Sequence, residues 1–290
     1  MAEISAKLVK ELREMTGAGM MECKKALIEA EGILEKAVDV LRTRGLAAAA
    51  KKAGRATNEG LIVAKVSDDA QSAALVEINC ETDFVSRNDV FGALANKIAD
   101  AVLVGKPADI EALSALAIDG ETVADILTDG IHTIGENIQV SRFECLEATS
   151  GAFSSYIHGG GRLGILVQFA LSKPETAEAD AFKAVAKDIA MQVAAANPLA
   201  VSQENIDAQI VEKEMSIYKA QAAESGKPEN IQEQIASGRM KKFFAENTLV
   251  EQAFIKDPDQ TVSQVLAAAS KELGDTITVV EFKRFELGGL

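Results

Sequence analysis

Side chains that carry bond chemistry are scarce in this sequence, and their spacing fits no catalytic arrangement. There are two histidines, His132 and His158, and three cysteines, Cys23, Cys80 and Cys145, spread over separate segments. A structural zinc ion needs four such ligands in closely spaced pairs, which this set cannot supply. His158 adjoins Gly159-Gly160-Gly161-Arg162-Leu163-Gly164, a literal G-x-G-x-x-G. A phosphate cradle requires a helix N-terminus directly after those glycines. Ile165-Leu166-Val167-Gln168-Phe169 continue instead as a strand, so the glycines read as a hairpin turn and His158 as a surface turn residue. His132 reads as a turn residue ahead of a strand, and each cysteine as a small buried apolar side chain. No nucleophile or orienting acid pairs with either histidine, so neither an enzyme activity nor a resident metal or cofactor is expected.

One loop is different in kind. Cys80-Glu81-Thr82-Asp83-Phe84-Val85-Ser86-Arg87 joins a strand to a helix opened by the capping pair Asn88-Asp89. Its tip carries two apolar residues beside an acid. Phe84 fits two roles: a core anchor folded back on the loop, or a wedge entering a partner's pocket with Asp83 adding directional polar contact. A second apolar group, Met15, Met20 and Met21, flanks a short Gly-containing turn near the N-terminus. Core filling and an adaptable contact surface both suit methionine there.

An internal repeat shows which elements position the loop. Residues 122–143 align without gaps on 261–282 at an offset of 139, with seven of 22 positions identical. Residues 91–99 align on 182–190 at an offset of 91. Two matches in one order indicate a duplicated unit. Each copy reads as two hairpin-linked strands (Leu61–Val66 and Leu75–Ile78; Phe153–Ile157 and Ile165–Phe169), a helix (Val90–Leu103; Ala181–Ala196) and a final strand (Asn137–Phe143; Thr276–Phe282). A shorter helix near Thr122 precedes the first of those final strands. The expected fold is α+β, two related subdomains with antiparallel three-stranded sheets and helices on one face. At offset 91, Phe84 and Val85 correspond to Glu175 and Thr176, an ordinary polar loop, and this contrast favours the wedge. The offsets differ by 48 residues, so the second copy carries an insertion between 197 and 260. It reads as an antiparallel helical hairpin with stripes at Ile206, Ile210 and Ile217 and at Ile231, Ile235 and Phe243, broken at Ser225–Pro228.

Ahead of the repeat, three apolar stripes predict a three-helix bundle: Ile4, Leu8, Leu12 and Met15; Met20, Cys23, Leu27 and Ala30; Leu34, Val38 and Leu41. Gly17 and Gly19 break the first from the second, Gly32 ends the second, and Gly45 ends the third before a linker helix at Leu46–Ala53. Ser5 either caps the first helix or lies within it. The boundaries follow: a head at 1–55, a first subdomain at 56–145, and a second at 146–290 with its hairpin at about 199–246. The head carries a net charge of +3 and the rest −17, within a total of −14, and aromatic residues make up 4%. An acidic, aromatic-poor surface argues against direct nucleic-acid binding. No signal peptide or membrane span is expected, and sparse cysteines suit a reducing cytoplasm. Helical hairpins of this kind can also pair two copies into a homodimer.

Three motifs carry a family resemblance. Met15-Thr16-Gly17-Ala18-Gly19-Met20-Met21-Glu22-Cys23-Lys24-Lys25-Ala26-Leu27 resembles the N-terminal signature of the translation elongation factor Ts family. Asn79-Cys80-Glu81-Thr82-Asp83-Phe84-Val85 resembles its second signature, and Gly238-Arg239-Met240-Lys241-Lys242-Phe243 a third stretch. The resemblance spans residues 4 to about 286. It implies a ubiquitin-associated-like head, two related core subdomains and a protruding antiparallel coiled coil. It also implies guanine-nucleotide exchange on elongation factor Tu without bond-making chemistry. The loop Thr82, Asp83, Phe84 and Val85 would disturb the partner's magnesium and phosphate site, releasing GDP, and the factor would stay bound until GTP arrives. The head, through Met15, Thr16, Gly17, Ala18, Gly19 and Met20, would dock on the partner's GTPase domain, and the second subdomain on another of its domains. Well-known members continue into a further C-terminal helical module, and contacts of that module are not expected from a chain ending at Leu290. The competing expectation is a non-catalytic helical adaptor for another protein.

Overall fold

The computed structural model describes residues 4–16 and 18–289; the expected Gly17 break lies outside them. Three helices open the chain: α1 (Ala6–Thr16), α2 (Met20–Glu29) and α3 (Leu34–Lys52). Ser5 caps the first, its Oγ accepting from the Leu8 amide at 3.2 Å. Leu12, Cys23, Leu27, Ala37 and Leu41 form the core of this bundle. Met15 and Met20 do not join their expected stripes. They are 63% and 57% exposed, because they sit at helix ends on either side of the connecting loop.

The first copy of the repeat follows: β1 (Glu59–Val66), β2 (Ser72–Cys80), α4 (Asp83–Ser86), α5 (Asp89–Gly105), α6 (Ile110–Ala115), the short hairpin β3 (Ala117–Ile118) and β4 (Glu121–Thr122), α7 (Val123–Ile134) and β5 (Gln139–Glu147). The second comprises β6 (Ala152–His158), β7 (Leu163–Leu171), α8 (Asp180–Ala196), α9 (Ala208–Ala223), α10 (Glu229–Asn247), the hairpin β8 (Ala253–Phe254) and β9 (Asp257–Thr261), α11 (Val262–Leu273) and β10 (Ile277–Glu286). Thr122 and Thr261, 139 residues apart, both cap their helices through a reciprocal capping box.

Each copy is a three-stranded antiparallel sheet with the second strand central, in the order β1-β2-β5 and β6-β7-β10. The duplication extends to an irregularity. Ser141 is skipped in the register between β5 and β2, and Val280, its equivalent, between β10 and β7. Both bulges fall opposite the same step of the central strand, Glu77–Ile78 and Gln168–Phe169. A bulge adds local twist, so the two final strands bend at the same point.

The sheets are covered on both faces. α5 and α7 bury Ala74, Val76 and Ile78 of β2, and α8 and α11 bury Ile165, Val167 and Phe169 of β7. Between the sheets, Ile62, Leu75, Phe153, Leu166 and Phe285 form a further core. The molecule is therefore layered helix, sheet, sheet, helix. The close contact is set at Gly164, where a Cβ atom would lie 2.4 Å from Ile62 Cγ2.

Two further expectations change. Gly45 does not end the third helix: α3 runs unbroken to Lys52, so the expected linker helix is its second half. Interior glycine costs a helix about 1 kcal/mol, and here packing against Thr128 and His132 of α7 supports it. His132 accordingly lies in the last turn of α7, not in a turn before a strand. In the α9–α10 hairpin, Ala222, Ala236 and Met240 are buried, whereas Ile210 and Ile217 of the expected stripe are 40% and 38% exposed. The buried positions of this hairpin are therefore Ala222, Ala236 and Met240, and not those two isoleucines.

Candidate functional site

The loop after β2 is a short, braced helical turn. Thr82 is extended and caps α4, its Oγ1 accepting from the Val85 amide at 3.4 Å. Ser86 Oγ donates to the Asp83 carbonyl at 3.0 Å, and Asp83 pairs with Arg87 at 3.1 Å. Asn88 then caps α5 by accepting from the Val90 amide at 2.8 Å. With the backbone so tied, Val85 packs on the core beneath the first sheet, whereas Phe84 is 84% exposed. Folding back as a core anchor is thereby excluded for Phe84. An aromatic ring held in water forgoes roughly 2 kcal/mol of burial free energy.

The brace comes from the α7–β5 connection. Glu136 accepts from the Glu81 and Thr82 amides, both at 3.0 Å, and from Thr82 Oγ1 at 2.6 Å. Glu81 reciprocates by accepting from the Asn137 amide at 2.7 Å and from Arg55 at 3.3 Å. Asn137 Nδ2 donates to the Arg55 carbonyl at 3.0 Å, which ties the strap to the segment leaving α3. The Asn137 amide, against the opposing effect of burial and with help from Arg55, holds the Glu81 carboxyl below the usual carboxylate range. Cys80 lies behind the turn, its Sγ 3.3 Å from the Thr82 carbonyl; burial, then the Glu136 charge, pushes its thiol up to about 12.

The second copy repeats the brace. Asp275, the counterpart of Glu136, accepts from the Ser172 amide at 2.9 Å and the Lys173 amide at 3.3 Å, the counterparts of Glu81 and Thr82. A short helical turn at Pro174–Glu178 follows, with Thr176 buried and Glu175 exposed. The scaffold is common to both copies, and the tip residue is what differs. Glu136 itself is not among the residues the sequence singles out, although the aligned Gly135-Glu136 and Gly274-Asp275 pairs carry the signal.

The head loop forms a separate group. Thr16 Oγ1 donates to the Leu12 carbonyl at 2.7 Å and closes α1, Ala18 is buried, and Gly19 opens α2. Met15, Met20 and Met21 are all more than half exposed around it, so core filling is overturned for this cluster; Gly17 lies outside the described residues. Among the described residues, no hydrogen bond or ion pair joins this loop to the Thr82–Val85 turn. The head is held instead through α3 on α7: Arg42 meets Asp125 at 2.5 Å, Lys52 Nζ donates to the Ile131 carbonyl at 3.1 Å, and Ala49 packs on the first core. His132 Nε2 lies 2.7 Å from Glu22 of α2.

The other candidates find structural places. Gly159–Gly161 turn the β6–β7 hairpin as expected, and the Gly161 carbonyl accepts from the Ile62 amide at 2.8 Å, linking the two sheets. His158 ends β6 with Nδ1 3.0 Å from the Tyr156 hydroxyl. Among the described residues, no group of three or more His, Cys, Asp or Glu side chains could hold a metal ion, and no helix is long and apolar enough to cross a membrane.

These features define a mixed α+β protein, with helices followed by paired antiparallel sheets, that presents an exposed aromatic turn on a fixed frame. Comparison with known proteins gives the family. The model for "Elongation factor TS" matches residues 81–289. Elongation factor Ts of Clostridium perfringens (strain SM101 / Type A) is 50% identical over 288 residues, 98% of this chain and 93% of its own. Those of Trichlorobacter lovleyi and Clostridium kluyveri are 47% identical over the same shares. The chain belongs to the elongation factor Ts family of translation elongation factors.

Proposed function

We propose that this protein is a guanine-nucleotide exchange factor for elongation factor Tu in the cytoplasm, acting with no bond-making chemistry of its own. The observation that carries the reading is Phe84, an aromatic ring held in solvent on a braced turn where the second copy presents Glu175. In this reading the turn Thr82–Val85 enters the partner's GTPase domain, and Phe84 takes a position that the magnesium-bound state cannot accommodate. Asp83 supplies directional polar contact at the rim. The head (1–55), with Met15 and Met20 exposed around its loop, docks on the same domain, beside the first subdomain (56–145). The second subdomain (146–290) reaches another domain of the partner.

Exchange of this kind needs only differential binding. A factor that binds the nucleotide-free partner more tightly than the nucleotide-bound one weakens nucleotide binding by the same ratio. GDP then leaves faster, and GTP displaces the factor in turn. The magnesium ion and the nucleotide belong to the partner, so this chain needs no ligands for either. The test is release of fluorescent GDP from elongation factor Tu by stopped flow. Acceleration at micromolar factor is expected; release at the spontaneous rate would overturn the reading.

A further inference from the structure

We infer that Glu136 is a positioning residue for exchange: its carboxylate, reciprocated by Glu81, fixes the turn that aims Phe84. The inference rests on the reading of that turn as the exchange wedge. It adds a residue 52 positions away in sequence, with no contact to the partner required.

Three observations carry it. First, Glu136 closes the two amides at the start of the turn and the hydroxyl of the residue that caps it, at 3.0, 3.0 and 2.6 Å. Hydrogen bonds to an ionised acceptor are stronger and more directional than neutral ones, so this one side chain sets the orientation of the Thr82 backbone. Second, the strap is closed in both directions: Glu136 holds residues 81 and 82, and Glu81 holds the amide of Asn137, the residue next to Glu136. A turn held from both sides cannot swing without breaking both halves. Third, the half of the strap in which a carboxylate holds two amides recurs at Asp275, Ser172 and Lys173, so that half is a built feature of the fold. In the first copy the hydroxyl contact comes from Thr82, the residue that caps the turn, and in the second from Thr176 within the turn; only the first turn carries an exposed aromatic ring.

Phe84 is unpacked in the free protein, so its direction is set by the backbone of the turn and not by contacts of its ring. An aromatic wedge aimed by a rigid backbone loses little conformational freedom on entering a pocket. Without the strap, that ordering falls on the exchange step itself.

The experiment is stopped-flow release of fluorescent GDP from elongation factor Tu across a titration of full-length factor, with circular-dichroism melts as the fold check. Glu136→Gln keeps the shape and one acceptor oxygen but removes the charge and puts an NH2 group where a carboxylate oxygen accepts. It is expected to lower the maximal release rate by about tenfold, the scale of one lost charge-assisted hydrogen bond. The half-saturating concentration should move by less than about threefold, because the rest of the interface is untouched. In a Phe84→Ala background the same substitution should have almost no further effect, since residues acting through one another are non-additive. Asp275→Asn breaks the equivalent strap where no aromatic ring is presented, and is expected to release GDP at the wild-type rate. Glu136→Asp, which retains the carboxylate used in the second copy, should recover most of the loss. Should Glu136→Gln not fold, Glu81→Gln removes the reciprocal half of the strap and is read against Phe84→Ala in the same cycle.

A wild-type maximal rate in Glu136→Gln, additive effects with Phe84→Ala, no recovery in Glu136→Asp, or equal slowing by Asp275→Asn would each overturn the assignment. If Phe84→Ala itself releases GDP at the wild-type rate, the wedge reading fails and the positioning role falls with it. Slowing by Phe84→Ala alone leaves the wedge intact and removes only Glu136.

Discussion

Phe84 and Glu175 occupy the same place in the two copies of the fold, 91 residues apart, each exposed on a short helical turn whose preceding amides are held by a carboxylate from the final connection. The chain thus contains its own control. Transplanting the second copy's choice as Phe84→Glu should leave stability within about 0.5 kcal/mol, since an exposed side chain has no packing to lose. Acceleration of GDP release should fall by at least about tenfold, given that a central aromatic anchor carries 2 kcal/mol or more of an interface. Chemical unfolding and stopped-flow release on one preparation would check both halves. Retained acceleration would refute the wedge.

The thiol behind the turn should be chemically silent. Cys80 is fully buried, and burial together with the neighbouring Glu136 charge pushes it up to about 12. At pH 8 such a group is thiolate at about one part in ten thousand, and the thiolate is the reactive form. Native protein should therefore label with iodoacetamide at Cys80 only after denaturant is added, with peptide mass analysis identifying the site. Rapid labelling in the native state would show that the turn opens readily.

Acid should weaken the strap in the second copy in a defined direction. Burial opposes ionisation of Asp275, but hydrogen bonds from the Thr176 side chain and the Thr276, Lys173 and Ser172 amides outweigh it and hold the carboxyl below its usual range. A carboxyl depressed by folding stabilises the native state above its unfolded pKa of about 3.9 and loses that contribution as pH falls through the folded value. Asp275→Asn should be less stable than wild type at pH 7 and lose less on going from pH 5 to pH 2. Urea titrations at several pH values would show the difference, and parallel acid limbs would contradict it.

Much of this is legible in the sequence. The offsets of 139 and 91 gave two units of one topology, and the equivalent bulges at Ser141 and Val280 lie inside the aligned segment. The face-to-face packing of the sheets does not follow from the repeat, although β2 and β7 carry its signal. Ala73–Val76 and Ile165–Val167 are continuous apolar runs, the pattern of a strand buried on both faces. Gly45 misled because a glycine is read as a helix end unless tertiary packing is known, and that packing, against α7, comes from 83 residues further along. The exposure of Phe84 was inferable from its polar counterpart. The strap that holds its turn was not, since only the folded chain brings residue 136 to residue 82.

The packing of one sheet on the other gives the last prediction, at Gly164. Its backbone needs no special conformation; what it needs is the absence of a side chain. A Cβ there would lie 2.4 Å from Ile62 Cγ2 and 2.9 Å from Leu75 Cδ1, and both of those residues are buried between the sheets with Leu166 and Phe285. Neither can turn away without displacing that core, so Gly164→Ala should cost about 1–3 kcal/mol, the range for an added methyl in a filled interior. Gly92 in α5 provides the contrast, because a Cβ there meets nothing within 4 Å. Gly92→Ala should stabilise by roughly 0.5–1 kcal/mol through helix propensity alone. Opposite signs for the same chemical change, read as shifts in the urea midpoint at constant slope, are the expected result. A neutral Gly164→Ala would mean that the two sheets are not packed as closely as their side chains require.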